Sequence, residues 1–409
     1  MKPHEKIYII ENKNNIFVNK KEIAMKILKL SIEGLQNFKD TLEVDFVAQQ
    51  RVDDDDKIQM FNVFSNVYLN PALAFIGINA SGKTTVLKLI SFFIGLLNNE
   101  PVNKISSKEF LYDLDNINNT IFTAYFYHNN LIYKLETVVG KKINTTDGNT
   151  KLVILDETLW SKEICKVKTK KSLYDFTDAD VNMRRDKDEQ YLMEDVSIIV
   201  AINKKQDTNF FLCDMSKFTD HNMLNVLGRY PKEILTFLDP GIENLSCELD
   251  EKKVDIRLKF YGKDEIVLNS PLALNRYLSS GTIKGLGVFM GAVFAFVEGG
   301  YLIVDELENH FNKEIVSTLI RFFMDKKINK TGAVLIFSTH YSELLDEFNR
   351  NDSIYIIKNK EGITAEKLSG ILKRNDIKKS EVYDSGFIGG TVPAYESYIA
   401  LKKALASLR

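Results

Sequence analysis

The chain has 409 residues, 44% of them hydrophobic and 27% charged, with a formal net charge of −2. That length suits two or three domain-sized units, and the near-neutral balance argues against a generally basic nucleic-acid coat while leaving a local patch open. Three cysteines, Cys165, Cys213 and Cys247, lie far apart with no C-x-x-C, which speaks against a zinc site or a disulfide framework and fits a reducing cytoplasm.

Residues 1–25 read as an extra arm, whose opening MKPHEKIYIIENKNN lacks the unbroken apolar core of a signal peptide. The first well-patterned strand is 26–32, and 42–46 follows it as a hairpin partner. The run Asp53–Asp56 reads as a solvated loop, because consecutive carboxylates lack the spaced ligands of a calcium loop. Next, 73–76 is a short buried strand and 85–90 an apolar-periodic helix. The loop between them, Gly77-Ile-Asn79-Ala80-Ser81-Gly82-Lys83-Thr84, fits G-x-x-x-x-G-K-[ST] at every fixed position. Glycines let the backbone curl so that its N–H groups face an anion, and the helix that follows aims its positive end there. Gly77, Asn79 to Thr84 and Thr85 are therefore the expected nucleotide-binding residues. Lys83 would reach the β- and γ-phosphates, and the Thr84 hydroxyl would ligate Mg²⁺.

The region 111–264 is less decodable and reads as an inserted, helical α+β lobe between two parts of a core, 26–110 and 265–370. A hairpin is expected at 121–128 and 131–139, turned by Asn129-Asn130, and another pair at 245–249 and 254–260. Lys166, Lys168, Lys170, Lys171, Arg184 and Arg185 form a basic cluster, read either as a solvated face or as a backbone contact for nucleic acid.

Pattern returns late in the chain. Tyr277-Leu-Ser279-Ser280-Gly281-Thr282 precedes an apolar helix containing the run 286–297. That run, at about a dozen residues, is too short for a bilayer, where about 20 are needed, and reads as buried; no membrane partner is expected. Then 301–304 leads into Asp305-Glu306, and 333–337 into Ser338-Thr339-His340. In an open parallel sheet, ligand sites gather beyond the carboxyl ends of the strands, so Asp305 and His340 are expected beside Lys83. Asp305 suits a Mg²⁺ contact, Glu306 the orientation or deprotonation of a water attacking the γ-phosphate, and His340 a hydrogen bond to that phosphate. A hairpin around 354–363 and a helical segment over 371–409 close the chain.

The order of phosphate loop, LSSGT, YLIVDE and IFSTH resembles the ABC-type ATPases, in the branch with the SMC, RecF and OLD (overcoming lysogenization defect) proteins. DELENHF resembles the D-E-x-E-x-H form of the OLD-like branch, and Asn37-Phe38 the N-F element near that branch's start. The tail RNDIKKSEVYDSGFIGGTVPAYESY resembles stand-alone bacterial ATPases found in phage-defence operons. The resemblance covers about 26–100 and 265–360. It implies an α/β P-loop NTPase fold of ABC/SMC type, two-lobed, with a mixed sheet flanked by helices. It further implies ATP with Mg²⁺, hydrolysis to ADP and phosphate, and a homodimer in which Ser279, Ser280 and Gly281 complete the site of a second copy. A separate effector, a nuclease or toxin, would be the controlled partner in antiviral defence; a RecF- or SMC-like DNA clamp is the alternative, and a transporter subunit ranks last. Ser280 and Thr282 depart from LSGGQ, Leu307 replaces the proline after the D-E pair, Gln190 and Gln206 are unconvincing as a glutamine loop, and Phe38, the best candidate to stack on adenine, reads equally as a core residue.

Overall fold

The computed structural model describes residues 8–9, 24–111, 119–143, 150–186, 192–206, 209–216, 226–250, 253–391 and 395–407. In chain order the main elements begin with β1 (Lys26–Glu33), β2 (Leu42–Asp45), β3 (Ala72–Ile76) and α1 (Lys83–Leu97). Then come β4 (Thr120–His128), β5 (Leu131–Ile143), β6 (Thr150–Glu163), β7 (Val181–Arg184), β8 (Leu212–Asp214), β9 (Val226–Arg229), α2 (Lys232–Leu238), β10 (Ile242–Asp250), β11 (Lys253–Phe260) and β12 (Ile266–Leu268). The last part holds α3 (Ser280–Glu298), β13 (Tyr301–Val304), α4 (Lys313–Met324), β14 (Val334–Thr339), β15 (Ile354–Asn359), β16 (Ile363–Lys367), α5 (Lys379–Asp384) and α6 (Tyr395–Ala406).

The class is α/β with mixed sheets and helices. The central sheet runs β8-β13-β14-β3-β15-β16, parallel throughout except for the final hairpin. Its inner strands are apolar on both faces, as parallel strands covered on both sides must be. Alternation decides which face each side chain serves. Leu73, Phe75, Tyr301, Ile303, Val334 and Ile336 join one core with α1, whereas Ala72, Ala74, Leu302, Val304, Leu335 and Phe337 join another with α3 and α4. Helix α1 is buried on most of its circumference because the second sheet, β7-β6-β5-β4-β1-β2, closes over its other side. The third sheet, where β9 to β12 follow one another, packs Ile256 and Leu258 against Ile283, Leu286 and Met290 of α3.

The expected hairpins form. Asn129 and Asn130 take φ of 46° and 60°, the left-handed pair that a two-residue turn needs to match strand twist. The pair at 245–260 forms as β10 and β11, and the late hairpin as β15 and β16. The 111–264 region is corrected: its described part is mostly strand, and β4 to β7 extend the sheet that β1 and β2 begin. The hydrogen bonds of β1 on its second edge go to β4, so a boundary at 110 cuts through one sheet rather than around an insert. The apolar run 286–297 belongs to a 19-residue helix; α3 has the length and composition of a membrane span, but 67% of that stretch is buried inside the protein. Asp56 is not left to solvent, since Arg350 forms an ion pair with it. Of the basic cluster, Lys170 donates to the carbonyls of Ala48 and Gln50 at 2.7 and 2.9 Å, and Arg185 to those of Val196 and Met193, both at 2.8 Å. Those two groups serve the fold.

Lys26 joins two sheets. It is fully buried, donates to the carbonyls of Gly299 and Gly332, and lies over the Phe61 ring. Burial pushes its amine down from 10.5 to about 7. Between those values the unfolded chain binds a proton that the native chain does not, so native stability rises with pH across that window and is lost again as pH falls towards 7. Urea unfolding should show a rise of about 1 kcal/mol per pH unit mid-window that Lys26→Met flattens; an equal rise in the variant would contradict the assignment.

Candidate functional site

The register of the central sheet brings three strand ends to one edge. Val304 stands beside Phe337, and Thr339 beside Ile76, so the loop after β3, the acidic pair after β13 and the histidine after β14 emerge together. The loop is compact. Ala80 and Gly82 have φ of 60° and 100°, and a Cβ at Gly82 would meet the Ile363 side chain at 2.6 Å. Asn79 and Ala80 are exposed, while Ser81 is buried with its hydroxyl unpaired among the described residues. Thr85 is half-buried in the first turn of α1.

Lys83 Nζ donates to the carbonyls of Gly77 and Ile78 at 3.0 and 3.1 Å and stands 3.4 Å from His340 Nδ1. Burial lowers its pKa, opposed by the charges of Asp305, Glu306 and Glu308. Thr84 donates its hydroxyl to Asp305 Oδ2 at 2.7 Å. Glu306 Oε1 lies 3.5 Å from His340 Nε2. Lys83, Thr84, Asp305, Glu306 and His340 are thus gathered, with Asp305 and His340 beside the loop as their places at strand ends led one to expect.

Glu306 carries φ of 46°, a left-handed conformation that costs a non-glycine residue roughly 1 kcal/mol or more. Two polar groups hold it there. Its N–H donates to Ser338 Oγ at 2.7 Å, and its carbonyl accepts from Lys284 at 3.0 Å. Ser338, fully buried, also donates to Asp305. Sequence reasoning had no role for Lys284, and named Ser338 without its bridging role. A polar residue inside an apolar strand was the one available signal for Ser338.

Ser279, Ser280 and Gly281 stand beside the turn that follows β13, not in the loop. They start α3, where Ser279 Oγ caps the helix by accepting from Thr282 N at 3.0 Å. Ser280 Oγ is 3.2 Å from His310 Nδ1, and a Cβ at Gly281 would meet the His310 carbonyl at 2.4 Å. Among the described residues no hydrogen bond joins these three to 77–85. Phe38 is half-buried against the core and bridges to Ile363 through its backbone, which places Asn37-Phe38 behind the residue that covers Gly82. Gln190 lies outside the described residues, and Gln206 ends a short helix, Val200–Gln206.

Among the described residues no group of three or more His, Cys, Asp or Glu is arranged to hold a metal. A cation at Thr84 and Asp305 would have those two protein oxygens alone, a set that suits Mg²⁺, which keeps several waters and shares phosphate oxygens. Neither models of known protein families nor characterised proteins gave a match to this sequence.

Ser338→Ala should cost about 1–3 kcal/mol, because it strips a partner from the Glu306 N–H and from Asp305 at once. Urea unfolding checks this, and a loss below about 0.5 kcal/mol would mean that water replaces the hydroxyl.

Proposed function

We propose that the chain is a P-loop ATPase of ABC type, allied to the OLD-like branch, that hydrolyses ATP to ADP and phosphate. The convergence of Lys83, Thr84, Asp305, Glu306 and His340 at one sheet edge carries this reading. The N–H groups of 79–85 and the Lys83 ammonium hold the β- and γ-phosphates, Lys83 giving up the Gly77 and Ile78 carbonyls to do so. Mg²⁺ at Thr84 and Asp305 would neutralise charge on the phosphate oxygens. Glu306 takes a proton from a water whose oxygen attacks the γ-phosphorus; the bond to the β-phosphate oxygen breaks, and ADP leaves with the electron pair. His340 hydrogen-bonds a γ-phosphate oxygen.

Ser279 is exposed at the start of a 19-residue helix and bonded to nothing in the loop of its own chain. That supports the completion of each site by Ser279, Ser280 and Gly281 of a second copy, where the helix N-terminus favours an anion. ATP then joins two copies and hydrolysis releases them. Control of a separate effector in bacterial antiviral defence rests on the resemblance of DELENHF and the tail, and a cytoplasmic setting on the dispersed cysteines. The ties of Lys170 and Arg185 to carbonyls of the chain weigh against a nucleic-acid clamp.

Mg·ATP binding and phosphate release test this. Lys83→Ala should weaken nucleotide binding at least about tenfold, whereas Glu306→Gln should bind normally and turn over about 100-fold more slowly. Unchanged affinity in the first would remove the phosphate-loop reading, and normal turnover in the second would remove Glu306 as the base.

A further inference from the structure

The proposed reaction leaves one buried carboxylate of the site without a part. Glu308 is 7% exposed, and its Oε1 accepts the backbone N–H of His340 at 2.6 Å. Its Oε2 is buried with no protein partner among the described residues. Burying a carboxylate that is only half satisfied is costly, so packing alone gives no reason for a glutamate here.

The His340 ring supplies the reason. Its two nitrogens stand 3.4 Å from Lys83 Nζ and 3.5 Å from Glu306 Oε1, both longer than a well-made hydrogen bond. Such contacts align a ring weakly, so its place between the ammonium and the carboxylate is set by the backbone at 340. That backbone leaves β14 and turns, and the side chain holding its N–H is Glu308, from the segment after the neighbouring strand β13. The same two segments are joined by Leu307 N donating to the Ser338 carbonyl at 3.0 Å. Because Glu306 and Glu308 lie on one short turn, the base and the histidine take their positions from the same few residues.

We infer that Glu308 is a positioning residue for His340: by holding the His340 N–H it keeps the imidazole between Lys83 and Glu306. This rests on the ATPase reading. The experiment is a double-mutant cycle on ATP hydrolysis by the full chain, using Glu308→Ala, His340→Ala and both, with Glu308→Gln beside them. Glu308→Ala should lower kcat about 10- to 100-fold with KM for ATP within about twofold, as a misplaced group does. Glu308→Gln, whose amide oxygen still accepts the N–H, should keep kcat within about threefold. In the His340→Ala chain, Glu308→Ala should cost nothing more.

Additive losses in the double variant, or Glu308→Gln as slow as Glu308→Ala, would overturn the inference. Should Glu308→Ala fail to fold by urea unfolding, Glu308→Asp takes its place, since it keeps the charge and shortens the reach; a normal kcat there also overturns it. A wild-type chain that releases no phosphate from ATP would sink the hydrolysis reading and this inference with it. An active wild-type with an additive cycle would sink the inference alone.

Discussion

Everything at the site depends on the register of three parallel strands whose interiors are apolar on both faces. Strands covered on both sides tolerate polar groups chiefly where the chain leaves the sheet. Val304 beside Phe337 and Thr339 beside Ile76 therefore determine which polar residues meet. A slip of one residue would reverse the faces of a strand and separate Asp305 from Thr84. Ser338 is a hydroxyl buried within β14, and it is tolerated because Glu306 N–H and Asp305 both use it.

Two further parts of the chain grip this edge. From one side, Ile363 packs over Gly82 and Asn359 reaches the Ala80 carbonyl at 3.4 Å. From the other, Lys284 of α3 donates to the carbonyls of Glu306 and Asn309, both at 3.0 Å, while Ser280 meets His310. Ser280 has a local partner: its hydroxyl faces a histidine that is itself held at φ of 71°. The left-handed conformations of Glu306 and His310 flank a turn that Lys284 ties at two carbonyls, and strain of this kind persists only where its surroundings fix it.

Much of this was legible in the sequence, for identifiable reasons. The loop at 77–84 has fixed glycine spacing, Asn129-Asn130 announces a tight turn, and apolar runs ending in Asp305-Glu306 and Ser338-Thr339-His340 mark strand ends. The sheet that β4 to β7 add to β1 was not legible, because the partner of an edge lies about a hundred residues away and periodicity says nothing about pairing. Strand β8, three residues long, was too short to register, yet its Asp214 receives the Ser91 hydroxyl of α1. Glu308 stood in view within DELENHF, but a glutamate four residues beyond a strand carries no sign of the backbone N–H it will hold. The roles of Lys284 and Ser338 likewise depend on contacts across elements.

The central claim is that two copies share nucleotide through the loop of one and the α3 start of the other. Native mass spectrometry of Glu306→Gln protein, with Mg·ATP and after its removal, tests this most directly. The account predicts a dimer, or a multiple of dimers, that retains one ATP per chain and comes apart without it. A monomer of the same mass in both conditions would contradict it, and the serines before α3 would then be no more than a helix cap.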